Sequence, residues 1–103
     1  MSVSLLVKDT KDAQQRLVPV ATEAIFKLKW LPGAQDLCLE WVALMGTGFD
    51  VTSDNRNVLL EELGHLRGWM GRRGETDELE RLDRLAAEVG AIRFETGATA
   101  FLG

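Results

Sequence analysis

The sequence predicts an α+β domain: an antiparallel sheet of about five strands, two hairpins plus an N-terminal strand, packed against a helical hairpin in the order β-(α)-β-β-α-α-β-β. Three observations carry this. Val3, Leu5 and Val7, and then most of the stretch 24–45, alternate with the period-2 pattern of half-buried strands. Residues 54–90 carry two apolar stripes at helical spacing. The helical block is flanked by strand-like blocks and does not alternate with them, which favours an antiparallel sheet with helices on one face.

Taken in order, Ser2 to Val7 reads as a strand and Lys8 to Thr10 as a turn. Asp9 or Thr10 could cap a short helix reaching Leu17, with Ala13 and Leu17 inward and Pro19 ending it; a plain loop is the alternative.

The stretch 20–45 reads as a long hairpin turning at Pro32-Gly33. With Pro32 to Gln35 as the loop, Trp30 faces Leu37, Leu28 faces Leu39, Phe26 faces Trp41, and Lys27 falls opposite Glu40. Matched pairs of this kind contribute about 0.2–1 kcal/mol each, and a one-residue slip sets apolar against charged residues. A helix over 36–45 is the rival reading, because Leu37, Trp41 and Leu44 also fit a 3.6-residue period. The hairpin's second side carries Ile25, Leu31, Cys38, Val42 and Leu44 among its charges, more apolar surface than a solvent-facing side needs.

Gly46-Thr47-Gly48 breaks the pattern. It lacks the third glycine of a dinucleotide fingerprint, since position 51 is Val51, and it lacks the lysine of a P-loop. A polar segment then leads to a helix capped by Asp54, with Leu59, Leu63, Leu66 and Met70 on its apolar stripe and Trp69 beside it. Gly64 and Gly68 share one stripe, where close approach of another backbone would explain them. A second helix starts at Thr76 or Asp77, with Asp77 and Glu80 resembling a capping box and Leu79, Leu82, Leu85, Ala86 and Val89 inward, and Gly90 stops it. Residues 91–95 and 98–102 complete a second hairpin around Thr96-Gly97, a dipeptide that suits a slightly longer loop better than a two-residue turn.

A chain of 103 residues is one domain, 1–103. Its hydrophobic fraction of 46% and charged fraction of 27% are those of an ordinary globular protein. No apolar run approaches the ~20 residues of a membrane span, and no secretory leader is evident. A single cysteine forms no internal disulfide, which fits a cytoplasmic location. The net charge is −4 and the basic residues are scattered, so nucleic acid is not the expected partner.

Asp50, Thr52, Asp54 and Glu61 stand at the first, third, fifth and twelfth places of a calcium-loop pattern, with Asn55 at the turn. Thr52 lacks a carboxylate or amide, position eight is the polar Asn57, and glycines replace the entering helix, so a capped helix start explains the same residues. His65 follows Glu61 by four residues and shares its helical face; two such groups do not make a zinc site. Cys38 would act as a nucleophile only if His65 met it within hydrogen-bond reach.

No catalytic set, metal or cofactor is therefore assigned. The reading favoured is a non-enzymatic protein-binding module, a small acidic adaptor, chaperone or inhibitor that docks on another protein or on a second copy of itself. Trp69, Arg72, Arg73 and His65 form the candidate contact patch, since tryptophan and arginine favour binding hot spots. The alternative is a small enzyme or ligand-binding domain with a pocket between sheet and helices involving His65, Cys38 or Glu61.

Overall fold

The computed structural model describes residues 2–9 and 14–103. Four strands, β1 (Ser2–Asp9), β2 (Gln14–Thr22), β3 (Phe49–Val51) and β4 (Thr99–Leu102), form an antiparallel sheet in the order β2-β1-β4-β3. The α+β class with an antiparallel sheet and a helical hairpin is as the sequence predicts. The strand count and two of the connections differ.

The first difference is at β2. Where a short helix to Leu17 is expected, the chain from Gln14 onward is a strand paired with β1; Thr10 and Ala13 lie outside the described residues. Pro19 is tolerated because β2 is an edge strand, whose outward side needs no backbone donor. The register skips Val20 between Val3↔Ala21 and Ser4↔Pro19, and this bulge lets the consecutive Val20 and Ala21 both face inward.

The second difference is the stretch read as a tryptophan hairpin. It is helical: α1 (Glu23–Ile25), a π-helical turn (Phe26–Trp30) and α2 (Leu31–Leu37) run as one continuous rod, and α3 (Glu40–Leu44) follows. Thr22 caps the rod, its Oγ1 accepting from the Ile25 N–H at 3.2 Å. Pro32 explains the π turn. Within a regular α-helix its ring would crowd the Leu28 carbonyl and leave it without a donor. Widening the turn, with the Leu31 N–H bonded to the Phe26 carbonyl five residues back, carries the rod past the proline. The period-2 pattern misled because Leu28 belongs to neither face of a sheet: it is 72% exposed, while Phe26 and Trp30 turn inward.

Gly33, expected at a hairpin tip, lies at a helix crossing. A Cβ there would fall 2.6 Å from Leu66 and 2.7 Å from the Trp69 ring. The rod ends at Cys38 in the left-handed region (φ 56°), with Leu39 N–H bonded to Ala34 O at 2.8 Å and Cys38 N–H to Gln35 O at 3.4 Å. This is a Schellman stop, with cysteine where glycine is usual and buried Leu39 and Ala34 as its apolar pair.

The helical hairpin α4 (Arg56–Arg72) and α5 (Thr76–Gly90) is as predicted, with Leu59, Leu63, Leu66 and Met70 facing Leu82, Leu85 and Val89 in one core. Its caps differ. Asn55, not Asp54, takes the cap position of α4 without a side-chain cap bond, and the turn before it is closed reciprocally: Thr52 Oγ1 accepts from Asn55 N–H at 3.2 Å and Asn55 Oδ1 accepts from Thr52 N–H at 2.7 Å, the pattern of a capping box with asparagine in the glutamate's place. On α5, Glu75 takes the cap position without a side-chain cap bond, and Glu78 turns inward.

The predicted second hairpin has only its C-terminal half. Phe94–Thr96 is a 3₁₀ turn ending at Gly97 (φ 88°), and β4 pairs with β1 and β3 instead. Arg56 holds this turn, donating to the Ile92 carbonyl at 2.7 Å and lying 5.1 Å from the Phe94 ring centre.

Candidate functional site

The helices cover one face of the sheet. Val3, Leu5 and Val7, Val18 and Val20, Val51, and Ala100 and Leu102 all point to them and are buried. The other face is open. Registers place Leu17 opposite Leu6, Leu6 opposite Phe101, and Phe101 opposite Asp50, so these side chains form one row across all four strands. Leu17 is 62% exposed and Phe101 42%. One flanking row is Gln15, Lys8 and Thr99, and the other is Pro19 and Ser4, with Gly103 beside Ser4 through backbone bonds of 3.0 and 3.3 Å.

Among the described residues, Lys8 and Asp50 supply the charges of this face. Between them lies a hollow of about 270 Å³, lined by Leu6, Lys8, Asp50, Thr99, Ala100 and Phe101. Phe101 stands beside it. Its ring lies against the backbone of Gly48, where a Cβ would come within 2.5 Å of the ring tip and where φ is +95°. A solvent-facing sheet side is normally polar; an apolar row with a polar border that includes Lys8 and Asp50 has the anatomy of an interface core and rim.

The residues expected to form a contact patch are divided. His65 and Arg72 line one shallow groove of about 340 Å³ with Leu37, Leu39, Gly64 and Gly68. Trp69 is withdrawn into the domain at 8% exposure, its indole N–H donating to Asp36 Oδ2 at 3.2 Å. Arg73 lies over its ring, 4.5 Å from the centre, so it shields the indole from solvent. Gly64 and Gly68 show no close backbone approach: a Cβ at Gly64 would meet nothing within 4 Å, and one at Gly68 would meet only Arg72 Nη1 at 3.8 Å.

Cys38 is exposed and sits between two residues of the His65 groove without lining it. The groove runs along α4 beside α2 and Leu39, not between sheet and helices. Thr52 and Asn55 are engaged with each other, and Asn55 Nδ2 also donates to the Asp50 carbonyl at 2.9 Å. No group of three or more metal-ligand side chains converges among the described residues.

Two other cavities border the helices. One, of about 530 Å³, is largely apolar and lined by Phe26, Leu31, Ala43 and Phe101, with the Lys27–Glu23 pair (3.2 Å) at its rim. The other, of about 680 Å³, is charged and lined by Lys29, Arg81 and Arg84, two of which have ion-pair partners: Lys29 pairs with Glu75 at 3.0 Å and Arg81 reaches Glu78 at 3.5 Å. The Glu75 carboxylate raises the Lys29 pKa above its usual value of 10.5 through their hydrogen bond. Asp83 raises that of Arg67 in the same way, at 2.7 Å.

The surplus apolar side expected of a hairpin over 20–45 has no counterpart. Val42 is fully buried, Ile25 and Leu31 are half-buried, and Leu44 and Leu28 are scattered at 40% and 72% exposure. The contiguous exposed apolar surface lies on the open sheet instead. A sequence signal for it existed in Leu6, Leu17 and Phe101, the apolar residues of the wrong parity in their strands, but pairing them requires the strand order. No helix among the described residues is long and apolar enough to cross a membrane. No family model matches the chain, and neither the curated proteins nor the solved structures contain a significant match to it.

Proposed function

We propose that this chain is a non-enzymatic protein-binding module whose docking surface is the open face of the sheet. The observation that carries this reading is the Leu17–Leu6–Phe101 row, with Leu17 and Phe101 exposed and Leu6 half-buried between them, on a face that is otherwise polar and nearly uncharged. Isolated exposed apolar side chains need no explanation, but a contiguous row rimmed by polar residues marks an interaction surface.

The groove at His65 supports the second reading, a small ligand-binding or catalytic site, less well. It is shallow, and among the described residues the polar side chains that line it are an imidazole and a guanidinium, with no nucleophile or acid in the lining.

Affinity capture from the native host separates the two surfaces. Leu17→Glu places a charge in the row without touching the core, and His65→Ala alters the groove alone. The docking reading expects a protein that is retained by the wild type and by His65→Ala and is lost with Leu17→Glu. Loss with His65→Ala and retention with Leu17→Glu would move the site to the groove.

A further inference from the structure

Building on the docking reading, we infer that the occupant of the open sheet face is a second copy of this chain, seated about a two-fold axis that sets Phe101 of each copy into the hollow between Lys8 and Asp50 of the other.

Charge is the first argument. The chain carries a net −4, yet among the described residues this face presents one lysine and one aspartate. A strongly acidic or basic partner would find no opposing field on such a face. A second copy brings an aspartate to Lys8 and a lysine to Asp50, and a two-fold contact makes that pair twice. Shape is the second. The exposed side of the Phe101 ring, which packs against Gly48 and is 42% exposed, forms one wall of the hollow of about 270 Å³, so the same rotation that offers this ring surface to the partner's hollow receives the partner's in return.

The edges of the sheet favour face-to-face contact over strand addition. The β2 edge carries Pro19 and a bulge, and the Asp50 carbonyl of the β3 edge is already bonded to Asn55 Nδ2 at 2.9 Å. Both features blunt an edge against further pairing. Area sets the size class of the contact. Four strands about 4.8 Å apart and three residue rows about 6.8 Å apart present roughly 400 Å² per copy. The total, roughly 800 Å², lies below the ~1,200 Å² of stable complexes and in the range of weak, transient contacts, so the dimer forms only at high protein concentration.

The test is sedimentation velocity on the intact chain from about 1 to 500 μM, with far-UV circular dichroism confirming each variant's fold. The wild type is expected to pass from monomer to dimer across that range. Lys8→Asp and Asp50→Lys, both at exposed positions, each set like charges against each other and weaken association about tenfold. An equimolar mixture of the two variants restores attraction at both pairs and associates at least as tightly as the wild type.

A wild type that stays monomeric at every concentration overturns self-association, as does a dimer indifferent to both charge reversals and to their mixture. The broader docking reading is judged separately. It survives a monomeric result if Leu17→Glu still abolishes capture of a different protein, and it fails with self-association if that variant changes neither measurement.

Discussion

The indole N–H of Trp30 donates to the carboxylate of Glu78 at 2.9 Å, joining residues 48 positions apart inside the core. Trp30 is fully buried and Glu78 is 2% exposed, so this bond fastens the π-helical turn to the first turn of α5. A buried donor left without its acceptor loses about 1–3 kcal/mol, whereas an amide oxygen can still accept. Glu78→Leu is therefore expected to cost about 2–3 kcal/mol and Glu78→Gln about 1 kcal/mol or less. Urea unfolding followed by tryptophan fluorescence measures both; equal losses would show that the indole bond is not what matters.

Glu62 caps a helix to which it does not belong. Its Oε1 accepts from the backbone N–H groups of Trp41 at 2.8 Å and Val42 at 3.0 Å, the free donors at the start of α3. Leu39 stands at the cap position of α3 without a side-chain acceptor, so the carboxylate comes from α4. Glu62→Ala is expected to cost about 1–2 kcal/mol. Protection of the Trp41 and Val42 amides in hydrogen exchange should fall with it, and unchanged protection would refute the assignment.

Cys38 holds a left-handed conformation that glycine adopts without steric penalty. Cys38→Gly is expected to stabilise the fold by about 0.5–1 kcal/mol, the relief of strain being partly offset by unfolded-state entropy. Cys38→Ala retains the strain and should bring no such gain. Paired denaturation midpoints decide this, and an equal gain for alanine would mean that the thiol, not the backbone, is the liability.

Gly64 lies in mid-helix with open space where its Cβ would be. Gly64→Ala should therefore stabilise α4 by about 1 kcal/mol. Under the sheet-face reading it leaves self-association unchanged. A stabilised chain that associates more weakly would place the contact on α4 instead.

The Lys29 pKa is raised by its hydrogen bond to Glu75. A raised pKa means that the folded state favours the ammonium. The associated stability is present in full below the usual value of 10.5 and is lost as pH rises through the folded-state pKa. The difference in stability between the wild type and Lys29→Met should be constant across neutral pH and shrink above that value. A difference that grows with alkalinity would contradict the sign.

Residues 56–90 were legible from the pattern of side chains. Leu59, Leu63, Leu66 and Met70, and then Leu82, Leu85 and Val89, recur at a period that serves no strand, and glycines mark the turn between them. β1 was legible for the same reason, because Val3, Leu5 and Val7 alternate without interruption. The open face was not legible, and neither was the division of Trp69, Arg72, Arg73 and His65 between a shielded indole and a groove.

Local sequence determined the two long helices and the first strand, because each rests on a repeat contained within its own segment, and the grouping of such segments along the chain indicated the antiparallel α+β class. Tertiary structure decided the stretch 20–45 and the site. Phe26 and Trp30 satisfy a strand pattern and a helical one, Leu28 only the first, and the choice fell to distant partners: Glu78 for the Trp30 indole, Glu62 for the start of α3, and Leu66 with Trp69 against Gly33. The order β2-β1-β4-β3, in turn, gathers Leu17, Leu6, Phe101 and Asp50 from three separate regions of the chain into one row. A pattern within one segment can set which side of a strand is apolar, but neighbours across a sheet are set by pairing, and pairing is a property of the folded whole.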